Sequence, residues 1–573
     1  MPLSDVSDDS LVAGLESLVP RVMESARIPG LAIAVIRDGR LIWNQGFGAK
    51  NVLTGDPVDE HTVFEAASLT KPLFGYFVMK QVELGLLDLD TPLVELVPQD
   101  LLEKTFLGHR MDMSGFQREW CEKVTARLAL SHSSGLPHGQ YERPHAFLFE
   151  PGTKFRYSSN GYEFLRIVIE HLRGRPLEQL MSQEAIGPLG MEDSCMVWDD
   201  RYEAQAAVGH DMFGETDGRF RKRRVAVASA SLYTTTRDYA RFVSAIINDQ
   251  GLKPETFREM LTPQIPMGEE GLSWAIGLGL EDTVFGKAVW QWGDLGIFRN
   301  YVIAYKPHRC GVIYLTNSFN GLSIGDDILD KALGLRECLA LRWLKHPRHD
   351  SATSQLYKKL HDNGIQQAIS FYEMSRTQYP AEFDESNTDR LARQLLSLRR
   401  RSDAIQILKL NRDSYPDSAS ANLSLGEAYI ADGDPVLAAE HLRNAARLDP
   451  ANERAASTLV FLGLLSVLWS QGAQEASELL SETRNAHPER VTEKALGSFC
   501  ATLQNLGRRE ESLALLKLNV KAHPGSGMAL YRLAQAHSLR DEARTARDYA
   551  EEALQLDPYL REARILIREL RNQ

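Results

Sequence analysis

The sequence predicts a mixed α/β domain, a sheet with helices packed on it, followed by an all-α helical solenoid. Three observations carry this. From Ile28 to about Leu344 short β-like runs alternate with helical stretches, whereas from about Leu356 the pattern is almost purely helical and rich in Ala, Leu, Glu and Arg. Prolines that would close helical hairpins, Pro380, Pro416, Pro450, Pro488, Pro524 and Pro558, recur at intervals of 34–38 residues. And 573 residues exceed the roughly 100–200 that one domain usually holds. The expected division is residues 1–345 as the α/β domain, 346–355 as a linker and 356–573 as the solenoid. The linker, His346-Pro347-Arg348-His349-Asp350-Ser351-Ala352-Thr353-Ser354, is polar, aperiodic and interrupted by a proline.

In chain order, Leu31-Ala32-Ile33-Ala34-Val35-Ile36 and Leu41-Ile42-Trp43-Asn44-Gln45 flank Arg37-Asp38-Gly39-Arg40, and an Asp-Gly pair between apolar runs predicts a β-hairpin. After Thr62-Val63-Phe64-Glu65-Ala66-Ala67 comes Ser68-Leu69-Thr70-Lys71-Pro72, leading into an apolar helical stretch through Leu84. Residues three apart share a helical face, so Lys71 is expected beside the Ser68 hydroxyl. Ser68 also stands at the positive end of the helix, where unpaired N–H groups favour developing negative charge. Pro72 is tolerated inside the first turn, where its missing N–H has no partner in any case. By itself, a Ser-x-x-Lys string is equally an N-cap serine followed by a solvated lysine.

The surrounding blocks decide between those two. Thr62 to Pro72, Glu83-Leu84-Gly85-Leu86-Leu87-Asp88-Leu89-Asp90, Leu130-Ser131-His132-Ser133-Ser134-Gly135-Leu136-Pro137 and Ser231 to Phe242 together resemble the serine β-lactamase and DD-peptidase superfamily, nearest its class C β-lactamase and esterase branch. The resemblance spans roughly Ile28 to Leu344 and implies a β-lactamase-like α/β fold with catalytic Ser68, Lys71 and Tyr157. Tyr157 comes from Pro151-Gly152-Thr153-Lys154-Phe155-Arg156-Tyr157-Ser158-Ser159-Asn160, where the family has Tyr-x-Asn; Ser159 stands in the place of the asparagine and Asn160 follows one residue late. A tyrosine serves as a base near neutral pH only if cations such as Lys71 stabilise its phenolate. The third family motif, Lys-Thr-Gly or His-x-Gly, has its counterpart in Gln291-Trp292-Gly293-Asp294-Leu295-Gly296, with the register open by one residue. If Trp292 takes the first place, Asp294 replaces the glycine. The resemblance thus implies a substrate-binding set of Ser159, Asn160, Trp292, Gly293, Asp294 and Leu295, with oxyanion donors at Ser68 and near Leu295. The chain contains neither Lys-Thr-Gly nor Ser-Asp-Asn. His132 belongs to a block that is structural in this superfamily, and Gly321-Leu322-Ser323-Ile324-Gly325 is a poor nucleophile elbow because polar residues separate it from the preceding apolar run.

In the C-terminal part a small residue stands twelve positions before each proline: Ala368, Ala404, Ala438, Ala476, Ser512 and Ala546. Small side chains there let paired helices approach closely. Leu425-Gly426, Tyr429, Ala438, Leu442, Ala445 and Pro450 resemble the tetratricopeptide pattern, as do Leu533-Ala534, Ala546, Ala553 and Pro558, which implies a solenoid that binds a protein or peptide.

Composition narrows the partners. A formal charge of −12 disfavours nucleic acid, and the longest nearly uninterrupted apolar run, Leu459 to Trp469, is too short to span a bilayer. Acids in Met1-Pro2-Leu3-Ser4-Asp5-Val6-Ser7-Asp8-Asp9 do not resemble a secretory leader, so a cytoplasmic location is expected. The five scattered cysteines, Cys121, Cys195, Cys310, Cys338 and Cys500, suggest free thiols rather than a metal site or disulfides, and no cofactor is expected. The expected function is a serine hydrolase of a small-molecule ester or amide. The alternatives are a transacylase using the same acyl-enzyme, a β-lactamase or D-Ala peptidase, and an inactive hydrolase domain carrying a binding solenoid.

Overall fold

The computed structural model describes residues 6–102, 116–138, 147–488, 491–558 and 560–571; Met1 to Asp5, part of the leader comparison, lie outside them. The chain divides into two units, Met1–Gln355 and Leu356–Gln573.

The first unit is built on a nine-stranded sheet in the order β3-β2-β1-β11-β10-β9-β8-β7-β6, where β1 is Gly30–Arg37, β2 Arg40–Asn51, β3 Asp56–Pro57, β6 Ile265–Pro266, β7 Leu272–Trp274, β8 Gly279–Thr283, β9 Gly286–Asp294, β10 Arg299–Tyr305 and β11 Cys310–Thr316. Every pairing in it is antiparallel. The predicted hairpin is β1–β2, closed with Arg37 opposite Arg40. Asp38 and Gly39 both take positive φ, 53° and 72°, the pairing a two-residue turn needs to match strand twist.

β1 lies between β2 and β11, and both its faces are covered, which is why it reads as continuously apolar. Leu31, Ile33 and Val35 enter one core with Leu11, Leu15 and Val19 of α1 (Asp8–Ala26), whereas Ala32, Ala34 and Ile36 enter the other with Phe74, Phe77 and Tyr162. α1 starts at Ser7, whose hydroxyl accepts the Ser10 N–H, and Asp8 and Asp9 complement the positive end.

A separate two-stranded ribbon, β4 (Phe64–Ala67) with β5 (Leu232–Thr234), delivers the chain into α2 (Thr70–Glu83). Within residues 62–79 every residue is buried except Ser68. α2 is therefore wrapped on all sides, and one hydroxyl is left to face the outside.

The stretch 346–355, expected as a linker, falls within the first unit. His349 Nδ1 lies 2.8 Å from the Ser25 hydroxyl, the His349 backbone N–H donates to the Ser323 carbonyl at 3.1 Å, and Arg348 pairs with Asp326 and Asp327.

The second unit is all-helical. Its pairs, such as Ala419–Asp432 with Pro435–Leu448 and Gly527–Ser538 with Ala543–Leu556, pack against their sequence neighbours. Each of the six prolines falls just past the second helix of a pair, and Ala368, Ala404, Ala438, Ala476, Ser512 and Ala546 are all 0% exposed. First helices begin at side-chain caps: Asp384, Ser418, Asn452, Thr492 and Ser526 each accept a backbone N–H three residues on. At Gly426 a Cβ would lie 2.9 Å from Leu442 Cγ, so the Leu-Gly of the repeat pattern marks a close helix contact. Among the described residues no helix is long and apolar enough to cross a membrane.

Candidate active site

The site is built where β4 ends. Ala67 takes φ 53°, an unfavourable backbone for a residue with a Cβ, and the turn it makes presents Ser68 two residues ahead of α2. Three contacts brace this elbow: Thr70 Oγ1 donates to the Ala67 carbonyl at 2.6 Å and accepts the Leu232 N–H at 3.0 Å, and the Tyr239 hydroxyl donates to the Leu69 carbonyl at 2.8 Å. The sequence block around Ser231 to Phe242 thus supports the turn that presents Ser68.

Lys71 is wholly buried, and its Nζ bonds the Ser68 hydroxyl at 3.0 Å and the Ser229 carbonyl at 2.9 Å. It also lies 4.7 Å from the centre of the Tyr157 ring. Burial pushes the ammonium down from its usual range to about 7, against a smaller opposing pull from Glu163. Near neutral pH a large share of Lys71 is therefore free amine, able to take a proton from Ser68.

Tyr157 precedes the helix Ser159–Arg173, whose N-cap is Ser158. Its hydroxyl is bonded to Ser68 and accepts from Gln291 Nε2 at 3.1 Å. Burial raises its pKa, outweighing the lowering by those two bonds, and Asp294 raises it further. The phenolate that a base role would require is accordingly disfavoured by burial, which favours a neutral phenol able to pass a proton on.

His132 lies beneath Tyr157 with ring centres 4.2 Å apart, at φ 59° and fully buried. Its Nδ1 accepts the Ser158 N–H at 3.0 Å, which places the proton of the neutral ring on Nε2. Burial, followed by the charge of Lys71, holds its pKa well below the ordinary histidine value. It supports Tyr157 as a ring and a hydrogen-bond acceptor. Ser323 donates its hydroxyl to the Asn320 carbonyl at 2.7 Å within a short 3-10 turn.

The third motif resolves in register. A Cβ on Gly293 would stand 2.4 Å from the Ala66 carbonyl oxygen and 3.1 Å from Ala67 Cβ, so Gly293 is the glycine that lets β9 approach β4, the strand that leads into Ser68. Gln291 therefore takes the first place, Trp292 the second, and Asp294 does not replace the glycine. Asp294 accepts the Gly296 N–H at 2.7 Å and the Arg299 Nε at 3.1 Å, and the Leu295 N–H donates to the Phe298 carbonyl at 3.0 Å. These bonds close the β9–β10 turn at Asp294 and Leu295, the two residues of the motif expected to contact substrate that stand at its end. Trp292 is half-buried, its ring centre 4.5 Å from that of Tyr157. Ser159 opens its helix with its hydroxyl 3.3 Å from His138 Nδ1, and Asn160 is buried one position further.

Two hydrogen-bond partners of these residues escaped the sequence reading. Gln291 was inside the quoted motif, and the glycine spacing was the signal that could have found it. The Ser229 acceptor is a backbone carbonyl, which residue identity does not reveal.

With that geometry in hand, the comparisons are consistent with one another. A family model described as Beta-lactamase matches residues 15–334. Esterase EstB of Burkholderia gladioli is 26% identical over 366 residues, covering 55% of this chain and 92% of that protein. Lovastatin esterase of Penicillium rubens is 23% identical over 365 residues, covering 52% of this chain and 91% of that protein. D-aminopeptidase of Gluconobacter oxydans is 24% identical over 336 residues, covering 57% of this chain and 63% of that protein.

Proposed function

The chain belongs to the β-lactamase family, and from that premise we propose that it is a serine hydrolase cleaving an ester or amide through an acyl-enzyme on Ser68. The observation that carries the reading is the contact between the one accessible residue of the 62–79 segment, Ser68, and a buried amine held near neutrality, Lys71. In the proposed sequence Lys71 takes the Ser68 proton as Oγ attacks the substrate carbonyl carbon. The bond to the leaving group then breaks, and the Tyr157 hydroxyl hands a proton to the departing oxygen or nitrogen. Water releases the acyl group by the same route in reverse. Oxyanion donors are assigned to the backbone N–H of Ser68 and to the end of β9, with Leu295 excluded because its N–H is engaged.

Substrate charge follows from Gln291. The family's third motif offers a cation where this chain has a neutral amide already bonded to Tyr157, so an uncharged ester or amide suits the site better than a substrate held by its carboxylate. Esterase activity is the first reading on this ground, and the esterases among the relatives support it. The test is intact-mass analysis after a fluorophosphonate probe: one adduct is expected on the native protein and none on Ser68→Ala, and equal labelling of both would overturn the assignment.

For the second unit, the proline and small-residue phasing supports a tetratricopeptide array that binds a protein or peptide. Residues 356–573 alone are expected to melt cooperatively by circular dichroism, and residues 1–355 alone to keep turnover of small esters. Loss of that turnover in a well-folded 1–355 fragment would show that the array helps build the site.

A further inference from the structure

A row of aromatic rings leads away from the reacting groups. Trp292 lies 4.5 Å from Tyr157 at a tilt, Trp343 lies 5.7 Å from Trp292, and Phe155 lies 6.1 Å from Trp343, centre to centre. Trp292, Trp343 and Phe155 are each half-buried, while Trp290 and Trp274 beneath them are fully buried. The outer three therefore present ring surface to the outside on a rigid aromatic floor.

Trp343 lies beyond the residues matched by the family model and is held in place by this chain's own devices. Its helix, Leu339–Leu344, is capped by the buried carboxylate of Glu281, which accepts the Leu339 N–H at 2.7 Å and the Ala340 N–H at 3.3 Å. Just past it, His346 Nε2 stands 3.7 Å from the Asp294 carboxylate.

The side of the substrate follows from chemistry. Whichever group returns a proton to the leaving oxygen must reach that oxygen, so rings that continue from Tyr157 flank the alcohol portion and not the acyl portion. We propose that Trp343, with Trp292 and Phe155, binds the planar aromatic alcohol part of an ester, making Trp343 a specificity residue. This rests on the hydrolase reading above: in the step concerned the carbonyl carbon gains a bond to Ser68 Oγ, its bond to the aryl oxygen breaks, and the aryloxide takes the proton from Tyr157.

The experiment compares 2-naphthyl acetate, trifluoroethyl acetate and trifluoroethyl 2-naphthoate on the full chain carrying Trp343→Leu or Trp343→Phe. For Trp343→Leu, kcat/KM on 2-naphthyl acetate should fall about tenfold, the scale of one ring contact, while the two trifluoroethyl esters change less than about twofold, and Trp343→Phe should restore most of the loss. An unchanged ester preference in Trp343→Leu overturns the proposal, and so does a loss confined to the naphthoate, which would put the rings on the acyl side. Quenching of tryptophan fluorescence by 2-naphthol in Ser68→Ala protein, with and without Trp343→Leu, reads the subsite without catalysis. Weakened quenching in a protein that neither labels nor turns over esters would leave the subsite standing and the hydrolase reading refuted. Labelling and turnover with quenching unaffected by Trp343→Leu would do the reverse.

Discussion

Lys71→Met is expected to cut ester turnover by about a thousandfold, within the range for loss of a general base, and at the same time to raise the melting temperature by several degrees. Both effects have one cause. The ammonium is completely buried, and its pKa falls from 10.5 to about 7 in the native state. Between those values the unfolded chain holds a proton that the native protein has shed, so stability rises with pH across the window. At neutral pH burying Lys71 accordingly costs the native state roughly 5 kcal/mol, a contribution of this one group that fades as pH rises toward the pKa of free lysine. Methionine keeps an unbranched apolar chain and carries no charge to bury. In the native protein the active form is the free amine, so kcat/KM should climb as pH passes through about 7 and then level. His138, exposed and near Tyr157, is another imidazole at the site, and His138→Gln should leave that step in place. A rate flat from about pH 5 to 9, across the range where free lysine stays charged, would remove Lys71 from the role of base. A Lys71→Met protein that melts no higher than the native one would contradict the burial argument separately.

The parts of this site that were legible in sequence are those fixed by short spacing. Ser68 and Lys71 are three apart at a helix start, and the turn that leads into α2 brings them together. The β1–β2 hairpin was readable because Asp38 and Gly39 are the residue types that accept positive φ. The repeat of the second unit was readable because one small residue recurs at a fixed offset, and each copy is buried. What was missed depends on contacts between distant segments. On a strand a one-residue shift exchanges the two faces, so the role of Gln291 could be assigned only once Gly293 was seen against the Ala66 carbonyl. Trp343 reaches the aromatic row by the return of a short helix after the sheet is complete. α1 was not anticipated either, although Ser7 ahead of Leu11, Leu15, Val19 and Val22 carries a cap followed by apolar residues at helical spacing.

Tyr157→Phe should lower kcat/KM by about a hundredfold on trifluoroethyl acetate, as removal of a proton-transfer group does, and much less on 4-nitrophenyl acetate. The difference between the two esters follows from the protonation state of the tyrosine. A phenolate base would act in the attack step, whose demand for proton removal from Ser68 is the same whichever alcohol departs. A neutral phenol acts in the departure step, where trifluoroethoxide needs the proton and nitrophenolate, already a stable anion, does not. Burial raises the Tyr157 pKa in spite of its bonds to Ser68 and Gln291, which favours the neutral form. Gln291 Nε2 donates to the same hydroxyl, so the phenol proton is directed toward Ser68 and the substrate and not toward β9. Gln291→Met should on this account reproduce part of the loss with the same dependence on leaving group, since the hydroxyl remains but is no longer aimed. Equal losses on both esters for Tyr157→Phe would return the tyrosine to the role of base and shift Lys71 to a supporting charge.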